Sequence, residues 1–398
     1  MLTVKEKQRI ELVQRVDAGR LSVEEGAVVL GRSVRTVFRM VARLRAVGLK
    51  GLLHGNRGRS SPRRLPEAQT AAILELARGE FADVNDCHLK EVLLARKKIA
   101  IGRETLRSLL RQEGIAPKKH RRSKKYRSRR ERKAAFGMML QIDASPHDWL
   151  EGRGPWLTLV GAIDDATSFR WARFVEVENT WAYLELLSAI CSSHGLPLSL
   201  YSDKHSVFFV NREPSLEEQL RGVAPVTQFA RAMDELGIGL IKAHSPQAKG
   251  RIERQWGFLQ DRLVVELRLA NATTIDQANA VLDRVLADVN ARFRVPPRES
   301  TAVFRKAPER SSLERILCLK DTRRVENDHT ISFEGLTLQI PPSKLFRSIS
   351  GKKVQVLQLR DGAVEIVYRS KIVARFSPPA VTRLLADKPN LKTELKAA

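Results

Sequence analysis

The chain has 398 residues, 43% of them hydrophobic, and a formal net charge of +25. This length exceeds what one hydrophobic core usually sustains, so we expect several domains. The charge excess predicts a polyanionic partner, and nucleic acid is favoured over an anionic membrane because no apolar run approaches membrane-spanning length. Charged residues occupy positions where a signal peptide would need its apolar core, which predicts a cytoplasmic protein.

The three cysteines are widely separated in the sequence. Cys87, Cys191 and Cys318 lie in apolar contexts, without a Cys-x-x-Cys pair or a Cys/His cluster. This pattern is typical of reduced core residues and argues against a zinc site.

Residues 1–50 have the pattern of a helix-turn-helix domain. Ser22, followed by acidic residues, predicts the N-cap of a helix from Val23 to Leu30. Gly31 then breaks the pattern, and Ser33 predicts a second cap. The next helix has an apolar stripe that is expected to face the core: Val34, Val37, Phe38, Val41 and Leu44.

The opposite face of that helix is basic. We expect Arg35, Thr36 and Arg39 to lie on the exposed side of a recognition helix and to contact the major groove of DNA. A small helical bundle with a solvated basic face fits the same segment equally well.

Residues 51–65 are rich in Gly, Ser, Pro and Arg, which predicts a linker without its own core. Arginines in an extended Gly-rich segment can enter a narrow minor groove, so Arg57 and Arg59 are candidate DNA contacts. A solvated linker is the alternative for either residue.

Residues 66–117 form a second helical block, which we interpret as a second helix-turn-helix domain. Asn85, or the aspartate after it, is a candidate helix cap, and Gly102 marks a turn before the last helix. Arg103 and Arg107 are expected to face outward and to contact DNA. Two such modules in tandem would read a longer, asymmetric site than one could.

Residues 118–135 form a basic linker. Eleven of the sixteen residues from Lys118 to Lys133 are Lys or Arg, so we expect this stretch to stay extended unless phosphate neutralises it. DNA backbone contact is favoured over a solvated linker. The predicted contacts are Lys118, Lys119, Arg121, Arg122, Lys124, Lys125, Arg127, Arg129 and Arg130.

The pattern becomes strand-like in residues 136–300, with the predicted order β-β-β-α-β-α-β-α. The first strand is expected to end at Asp143 and the fourth at Asp203, while Glu253 lies in the first turns of the helix after the fifth strand. Carboxylates at neighbouring strand ends can converge on Mg²⁺ or Mn²⁺, as two-metal phosphoryl transfer requires. The sequence therefore predicts a metal site built from these three residues.

Other polar residues surround these carboxylates in the sequence. Lys249, Arg251 and Arg254 flank Glu253 and are expected to contact the DNA phosphate. Asp164 and Asp165 end the second predicted strand, and a role in the following turn is favoured over a supporting role at the metal site.

The last part of the chain changes character again. After a connector at residues 301–323, five short β-like runs separated by Gly-containing turns fill residues 324–377 and predict a small antiparallel β-barrel. The tail, residues 378–398, has no clear core pattern.

Four motifs of this sequence together resemble those of bacterial insertion-sequence transposases with a retroviral-integrase-like DDE core, particularly the ISNCY type. The motifs are Gln-Ile-Asp143, Val-Gly-Ala-Ile-Asp164-Asp165-Ala-Thr, Tyr-Ser-Asp203 and Ser-Pro-Gln-Ala-Lys-Gly-Arg-Ile-Glu253-Arg-Gln-Trp. The combination is specific, although no single aspartate is. The resemblance covers most of the chain.

This resemblance implies a multidomain α/β protein with N-terminal helix-turn-helix domains and an RNase H-like catalytic core. It implies that Asp143, Asp203 and Glu253 bind Mg²⁺, with Mn²⁺ as a substitute, for cleavage at transposon ends and strand transfer into target DNA. It also implies a homodimer or higher multimer assembled on DNA, in a bacterial cytoplasm at the nucleoid.

One departure concerns the third carboxylate. Asp203 and Glu253 lie farther apart than the corresponding residues of most such cores, and Glu235 is nearer the usual spacing. We favour Glu253 because Glu235 precedes Gly237 and the fifth strand, and so would lie away from the strand tips. A loop-like insertion at residues 208–225 would explain the longer spacing.

We hypothesise that Asp143 bridges two metal ions and that Asp203 and Glu253 each complete one. Water attack would free a 3′-hydroxyl at the element end, and that hydroxyl would attack a target phosphodiester in line. Two other interpretations stay open: a metal-dependent RNase H-like nuclease that cuts without joining, and a catalytically inactive DNA-binding regulator.

Overall fold

The computed structural model describes residues 2–56, 64–118, 130–222, 225–243, 250–342 and 346–377. The chain divides into two compact units, residues 1–75 and residues 76–398. The helices are α1 Val4–Asp17, α2 Val23–Leu30, α3 Val34–Val47, α4 Glu67–Arg78, α5 Asp86–Lys97, α6 Arg103–Gln112, α7 Thr180–His194, α8 Leu216–Arg221, α9 Gln228–Glu235, α10 Gly250–Leu269, α11 Ile275–Phe293 and α12 Arg310–Ile316. The strands are β1 Leu140–His147, β2 Leu157–Asp164, β3 Arg170–Val175, β4 Ser199–Ser202, β5 Gly239–Lys242, β6 Leu319–Arg324, β7 Thr330–Phe333, β8 Leu336–Gln339, β9 Lys353–Gln358, β10 Val364–Tyr368 and β11 Lys371–Phe376.

Side-chain caps define the helices of the N-terminal unit. Ser22 Oγ accepts a hydrogen bond from Glu25 N at 3.1 Å, and the Glu25 carboxylate accepts one from Ser22 N at 2.9 Å. Gly31, with φ +61°, ends α2, and Ser33 caps α3. The predicted helix-turn-helix is therefore confirmed, with the predicted bounds of α2.

The helix α3 buries a narrower apolar stripe than its sequence predicts. Val37 and Val41 are buried in a core with α1 and α2, whereas Val34 is 37% exposed and Phe38 57% exposed. Successive residues of a helix turn by about 100°, so Phe38 lies well around the helix from Val37 and outside its packed face. The prediction that Phe38 is a core residue was wrong.

The second helical block also begins its helices at the predicted signals. Asn85 Oδ1 accepts hydrogen bonds from the N–H groups of Cys87 and His88 at 3.0 Å, which makes Asn85 the N-cap of α5. Gly102 precedes α6. From α5 onward this block packs on the core, where His88 Nε2 lies 2.9 Å from Glu266 Oε1 on α10.

Five strands form the central sheet in the order β3-β2-β1-β4-β5. β1, β2 and β3 form the predicted antiparallel meander, and β4 and β5 run parallel to β1. One buried cluster joins α7 and α9 to strands β1, β2 and β4. A second joins α10 and α11 to strands β2 and β3. This is the RNase H-like arrangement that the resemblance implies.

The strand β1 is longer than its sequence predicts. It continues to His147, and Asp143 pairs with Gly161 of β2 in the middle of the strand. Ser145, Pro146 and His147 interrupt the apolar pattern of the strand, yet they still lie opposite residues of β2, because strand pairing depends on the backbone. Asp143 is therefore a mid-strand residue, and its placement at a strand end was wrong.

The segment between β4 and α9 is not entirely loop-like. It contains the short helix α8, whose Leu216 and Leu220 are largely exposed. The exposure of these leucines explains why no amphipathic pattern signalled the helix.

The predicted C-terminal β-barrel is not formed. All five predicted strands are present, but β7 pairs with β8 as a separate hairpin, and β9, β10 and β11 form a second sheet. The fourth strand of that sheet is β6, which the sequence placed in the connector. Both sheets share one apolar core, yet neither closes on itself.

The cysteines of the described residues are all free thiols. Cys191 and Cys318 are buried as expected, but Cys87 is exposed in the first turn of α5. No helix in the described part of the chain is long and apolar enough to cross a membrane.

Candidate active site

The parallel strands β1 and β4 bring two aspartates to the same level. Leu140 pairs with Leu200 and Gln141 with Tyr201, and this register, continued along both strands, places Asp143 beside Asp203. Both side chains are half-buried. Because neighbouring strands lie about 4.8 Å apart, the two carboxylates can share one cation.

Tyr183 of α7 lies beside these aspartates and is fully buried. Burial raises the pKa of its hydroxyl far above the ordinary value, and the carboxylates of Glu178, Asp143 and Asp203 raise it further. The hydroxyl donates to Glu178 Oε1 at 2.5 Å. Tyr183 therefore stays protonated, and Glu178 adds a third negative charge to this region.

His205 completes the polar surroundings of Asp203. Its backbone N–H donates to Asp203 Oδ1 at 3.0 Å, and its Nδ1 lies 3.8 Å from Glu178 Oε1. These contacts hold the loop after β4 against the start of α7.

Two hydrogen bonds fix the first turns of α10 against β1. Ile252 N donates to Gln141 Oε1 at 3.2 Å, and Trp256 Nε1 donates to Asp143 Oδ2 at 3.1 Å. Glu253 lies between these two anchors and is exposed. The helix is therefore anchored to the strand that carries Asp143 on either side of Glu253.

Gly161 makes this close approach possible. A Cβ atom at this position would lie 2.7 Å from Trp256 Cη2 and 2.9 Å from the backbone oxygen of Trp171. Since Gly161 pairs with Asp143 across β1 and β2, only the absence of a side chain leaves room for the Trp256 ring there.

A buried carboxylate supports the same end of α10. Asp165 Oδ1 accepts hydrogen bonds from Arg251 Nη1 at 2.6 Å and from Gln141 Nε2 at 2.9 Å, and Arg130 Nη2 also contacts this oxygen. Lys133 N donates to Asp165 Oδ2 at 2.8 Å. Asp165 thus connects β1, α10 and the end of the basic linker.

Asp164 has the turn-forming role that the sequence favoured. Its Oδ2 accepts from the N–H and the hydroxyl of Thr167 at 2.7 and 2.8 Å, and its Oδ1 accepts from Gly137 N at 3.0 Å. Burial raises the pKa of the Asp164 carboxyl, against the lowering effect of these hydrogen bonds.

The register of β1 and β4 sets Asp143 level with Asp203, but the structure does not bring all three predicted ligands into one group. Within the described ranges, no three His, Cys, Asp or Glu side chains are arranged to hold a metal ion. The donor set nevertheless suits a hard cation, because carboxylates supply only oxygen ligands and Glu253 lies on the turn between two anchored residues.

Glu235, the alternative third carboxylate, ends α9. It accepts hydrogen bonds from Arg231 Nη1 and Lys320 Nζ, both at 2.6 Å. Burial opposes ionisation, but the bonds from Lys320 and Arg231 prevail and lower the pKa of the Glu235 carboxyl. Glu235 precedes β5, whereas Asp203 follows the parallel strand β4, so the two lie at opposite ends of this strand pair.

The predicted DNA contacts fall into three groups. Exposed or half-exposed side chains are Arg35, Thr36, Arg39, Arg103, Arg107 and Arg254. Of these, Arg103 and Arg107 also contact the exposed carboxylate of Glu104 on their own helix. Side chains that contact a carboxylate of a distant segment are Lys118 with Asp261, and Arg130 and Arg251 with Asp165. Outside the described residues lie Arg57, Arg59, Lys119, Arg121, Arg122, Lys124, Lys125, Arg127, Arg129 and Lys249.

Sequence reasoning missed several residues of this site. Gln141 lies two positions before Asp143, and a buried amide in an apolar strand was an available signal. Trp256 lies three positions after Glu253, on a neighbouring part of the same helix. Glu178 and Tyr183 had no local signal, because their contacts with the site depend on the packing of α7.

This chain is similar to a DNA-binding domain family and to two bacterial transposases. Residues 9–71 match the winged helix-turn helix family. A protein of Sinorhizobium fredii named "Putative transposase y4bF" is 34% identical, over 92% of this chain and 80% of that protein. The transposase for insertion sequence IS1202 of Streptococcus pneumoniae is 29% identical, over 92% of this chain and 85% of that protein.

Among solved structures, the HTLV-2 integrase catalytic core domain in complex with magnesium matches 40% of this chain and 89% of its own, with 15% identity and a TM-score of 0.30. The relationship to the two bacterial proteins is far more extensive, since it covers nearly all of the chain. Because of this relationship, we conclude that the chain belongs to the transposases of insertion sequences.

Proposed function

We propose that this transposase cleaves the ends of its element and joins the free 3′-hydroxyl to target DNA by two-metal-ion phosphoryl transfer. The proposed metal ligands and catalytic residues are Asp143, Asp203 and Glu253. The ion is Mg²⁺, for which Mn²⁺ can substitute.

The observation that carries the proposal is the register of β1 and β4, which sets Asp143 level with Asp203. The anchoring of α10 on the same strand supports Glu253 as the third ligand. Bound there, divalent ions would supply the positive charge that activates the attacking oxygen and stabilises the leaving one.

The surrounding residues orient the carboxylates. Trp256 Nε1 donates to Asp143 Oδ2 and so fixes the rotation of that carboxylate. Tyr183 remains a hydrogen-bond donor to Glu178, because its raised pKa keeps the hydroxyl protonated. Neither residue is proposed to transfer a proton.

DNA binding is implied by the helix-turn-helix match and by the transposase relatives. We assign direct contacts with DNA to the exposed residues Arg35, Thr36, Arg39, Arg103, Arg107 and Arg254, and to the predicted basic residues outside the described ranges. For Lys118, Arg130 and Arg251 we propose a structural role instead, because each contacts a buried or largely buried carboxylate of a distant segment.

We retain the domain bounds that the sequence predicts as a proposal, except that the C-terminal β region begins with β6 at Leu319. Cleavage and joining at two element ends require both ends to be held together, so we propose a dimer or higher multimer that assembles on DNA. The proposed place of action is the bacterial nucleoid, within the cytoplasm.

A strand-transfer assay tests the proposal. Labelled element-end DNA, target plasmid and Mg²⁺ or Mn²⁺ should yield joined products with the wild-type chain and none with Asp143→Asn or Asp203→Asn. Both variants should still bind the element-end DNA, because we assign binding to the helical modules and the linker. Joined products from Asp143→Asn would reject the metal assignment, and cleavage without joining by the wild type would identify a nuclease.

A further inference from the structure

The recognition helix α3 exposes an aromatic side chain that its own domain does not cover. Phe38 is 57% exposed, and Arg35 and Arg39 on the same side of α3 are also exposed. The core side of α3 is occupied by Val37 and Val41. The Phe38 ring therefore forms part of the basic face and not of the core.

The charge of α3 indicates what covers this ring. The helix contains four arginines, Arg35, Arg39, Arg43 and Arg45, and no acidic residue. A second copy of the chain would bring the same positive charge to this face, which disfavours self-association there. DNA offers the opposite charge on its phosphates and apolar groups on its base edges.

Thymine is the base that presents a methyl group in the major groove, and Phe is among the side chains that contact it. The position of Phe38, in the first half of α3, is where recognition helices meet base edges. We propose that Phe38 contacts the C5 methyl group of thymine in the terminal repeat and thereby contributes to the choice of sequence. This inference rests on the proposed binding of terminal repeats by α3.

Replacing thymine with deoxyuridine removes only that methyl group. Fluorescence anisotropy would compare the full chain on two duplexes of the terminal repeat from its own element, one with thymine and one with deoxyuridine throughout. The wild-type Kd should rise about fourfold for each methyl group that the Phe38 ring covers, from the transfer free energy of one methyl-sized group.

Variants of Phe38 assign the effect. Phe38→Ala should bind the thymine duplex as weakly as the wild type binds the deoxyuridine duplex, and its ratio of the two Kd values should be close to one. Phe38→Leu, which keeps an apolar side chain, should retain part of the discrimination. Val47→Ala, which changes another exposed apolar residue of α3, should leave the ratio unchanged.

The outcomes separate this inference from the proposed function. Equal wild-type affinities for the two duplexes, or full discrimination by Phe38→Ala, would overturn the thymine contact while binding of the terminal repeat still stands. Absence of specific binding by the wild type would overturn both. A changed oligomeric state of Phe38→Ala in sedimentation, with the discrimination intact, would show that the ring contacts protein and would also overturn the inference.

Discussion

Trp256 Nε1 donates a hydrogen bond to Asp143 Oδ2 at 3.1 Å, joining the helix that carries Glu253 to the strand that carries the first aspartate. The donor of this hydrogen bond, the indole N–H, carries no charge. The bond therefore sets the rotation of the carboxylate without cancelling its charge.

Trp256→Phe tests this bond, since Phe keeps an aromatic ring and removes the donor. A hydrogen bond to a charged group is worth about 1.5–3 kcal/mol, so we expect strand transfer to slow by between about tenfold and a hundredfold. Single-turnover rates on element-end DNA would measure the change. Unaltered rates, with circular dichroism like that of the wild type, would show that Asp143 needs no such support.

Gly161→Val tests whether the close approach of Trp256 to strands β1 and β2 is needed for activity. Its side chain would overlap Trp256 and the backbone of Trp171, so the first turns of α10 should move away from β1. We expect activity to fall at least as far as in Trp256→Phe. The matched control is Gly257→Ala, because a Cβ atom there meets no described atom within 4 Å, and it should leave activity unchanged.

Asp165→Asn removes the buried charge that faces Arg251 and Arg130. Arg251 is mostly buried whereas Arg130 is partly exposed, so solvent screening reduces the cost to about 1–3 kcal/mol of unfolding free energy. Urea unfolding would measure this loss. A stability equal to that of the wild type would remove Asp165 from the supports of α10.

Glu253→Gln and Glu235→Gln compare the two candidates for the third ligand. We expect Glu253→Gln to abolish strand transfer. Glu235→Gln should retain strand transfer but be less stable than the wild type, because it loses the ion pairs with Arg231 and Lys320. The reverse pattern in the strand-transfer assay would transfer the ligand assignment to Glu235.

Glu151 gives a prediction for acid pH. The hydrogen bond from Arg268 is the main cause that lowers the pKa of Glu151 from 4.5 to about 2, with Arg153 contributing and burial opposing. Because the folded-state pKa is lowered, the stabilisation is present above pH 4.5 and is lost as the pH falls towards about 2. The difference in unfolding free energy between the wild type and Glu151→Gln should therefore shrink over that window in urea titrations. A difference that stays constant down to about pH 2 would contradict the assignment.

Local signals in the sequence were sufficient for most elements. Ser22 and Ser33 located α2 and α3 because a cap depends on residues three positions apart. The alternation of strands and helices likewise indicated the core, and the register of β1 and β4 agrees with the prediction that their two aspartates lie side by side.

Contacts between distant segments were beyond these signals. The bond between Trp256 and Asp143, and the sharing of Asp165 by Arg130 and Arg251, depend on how α10 packs against β1. The prediction of a C-terminal barrel was wrong for a related reason, because strand propensity does not specify which strand edges pair. Phe38 was misassigned because a hydrophobic stripe does not reveal how wide the packed face is.

The length of β1 makes the two aspartates mechanically unequal. The residues of β1 on both sides of Asp143 pair with β2, while Asp203 lies just beyond the last residue of β4. Amide hydrogen exchange should therefore be slow around Asp143 and faster around Asp203. In the proposed metal site, Asp143 would therefore be the carboxylate whose backbone is held more firmly.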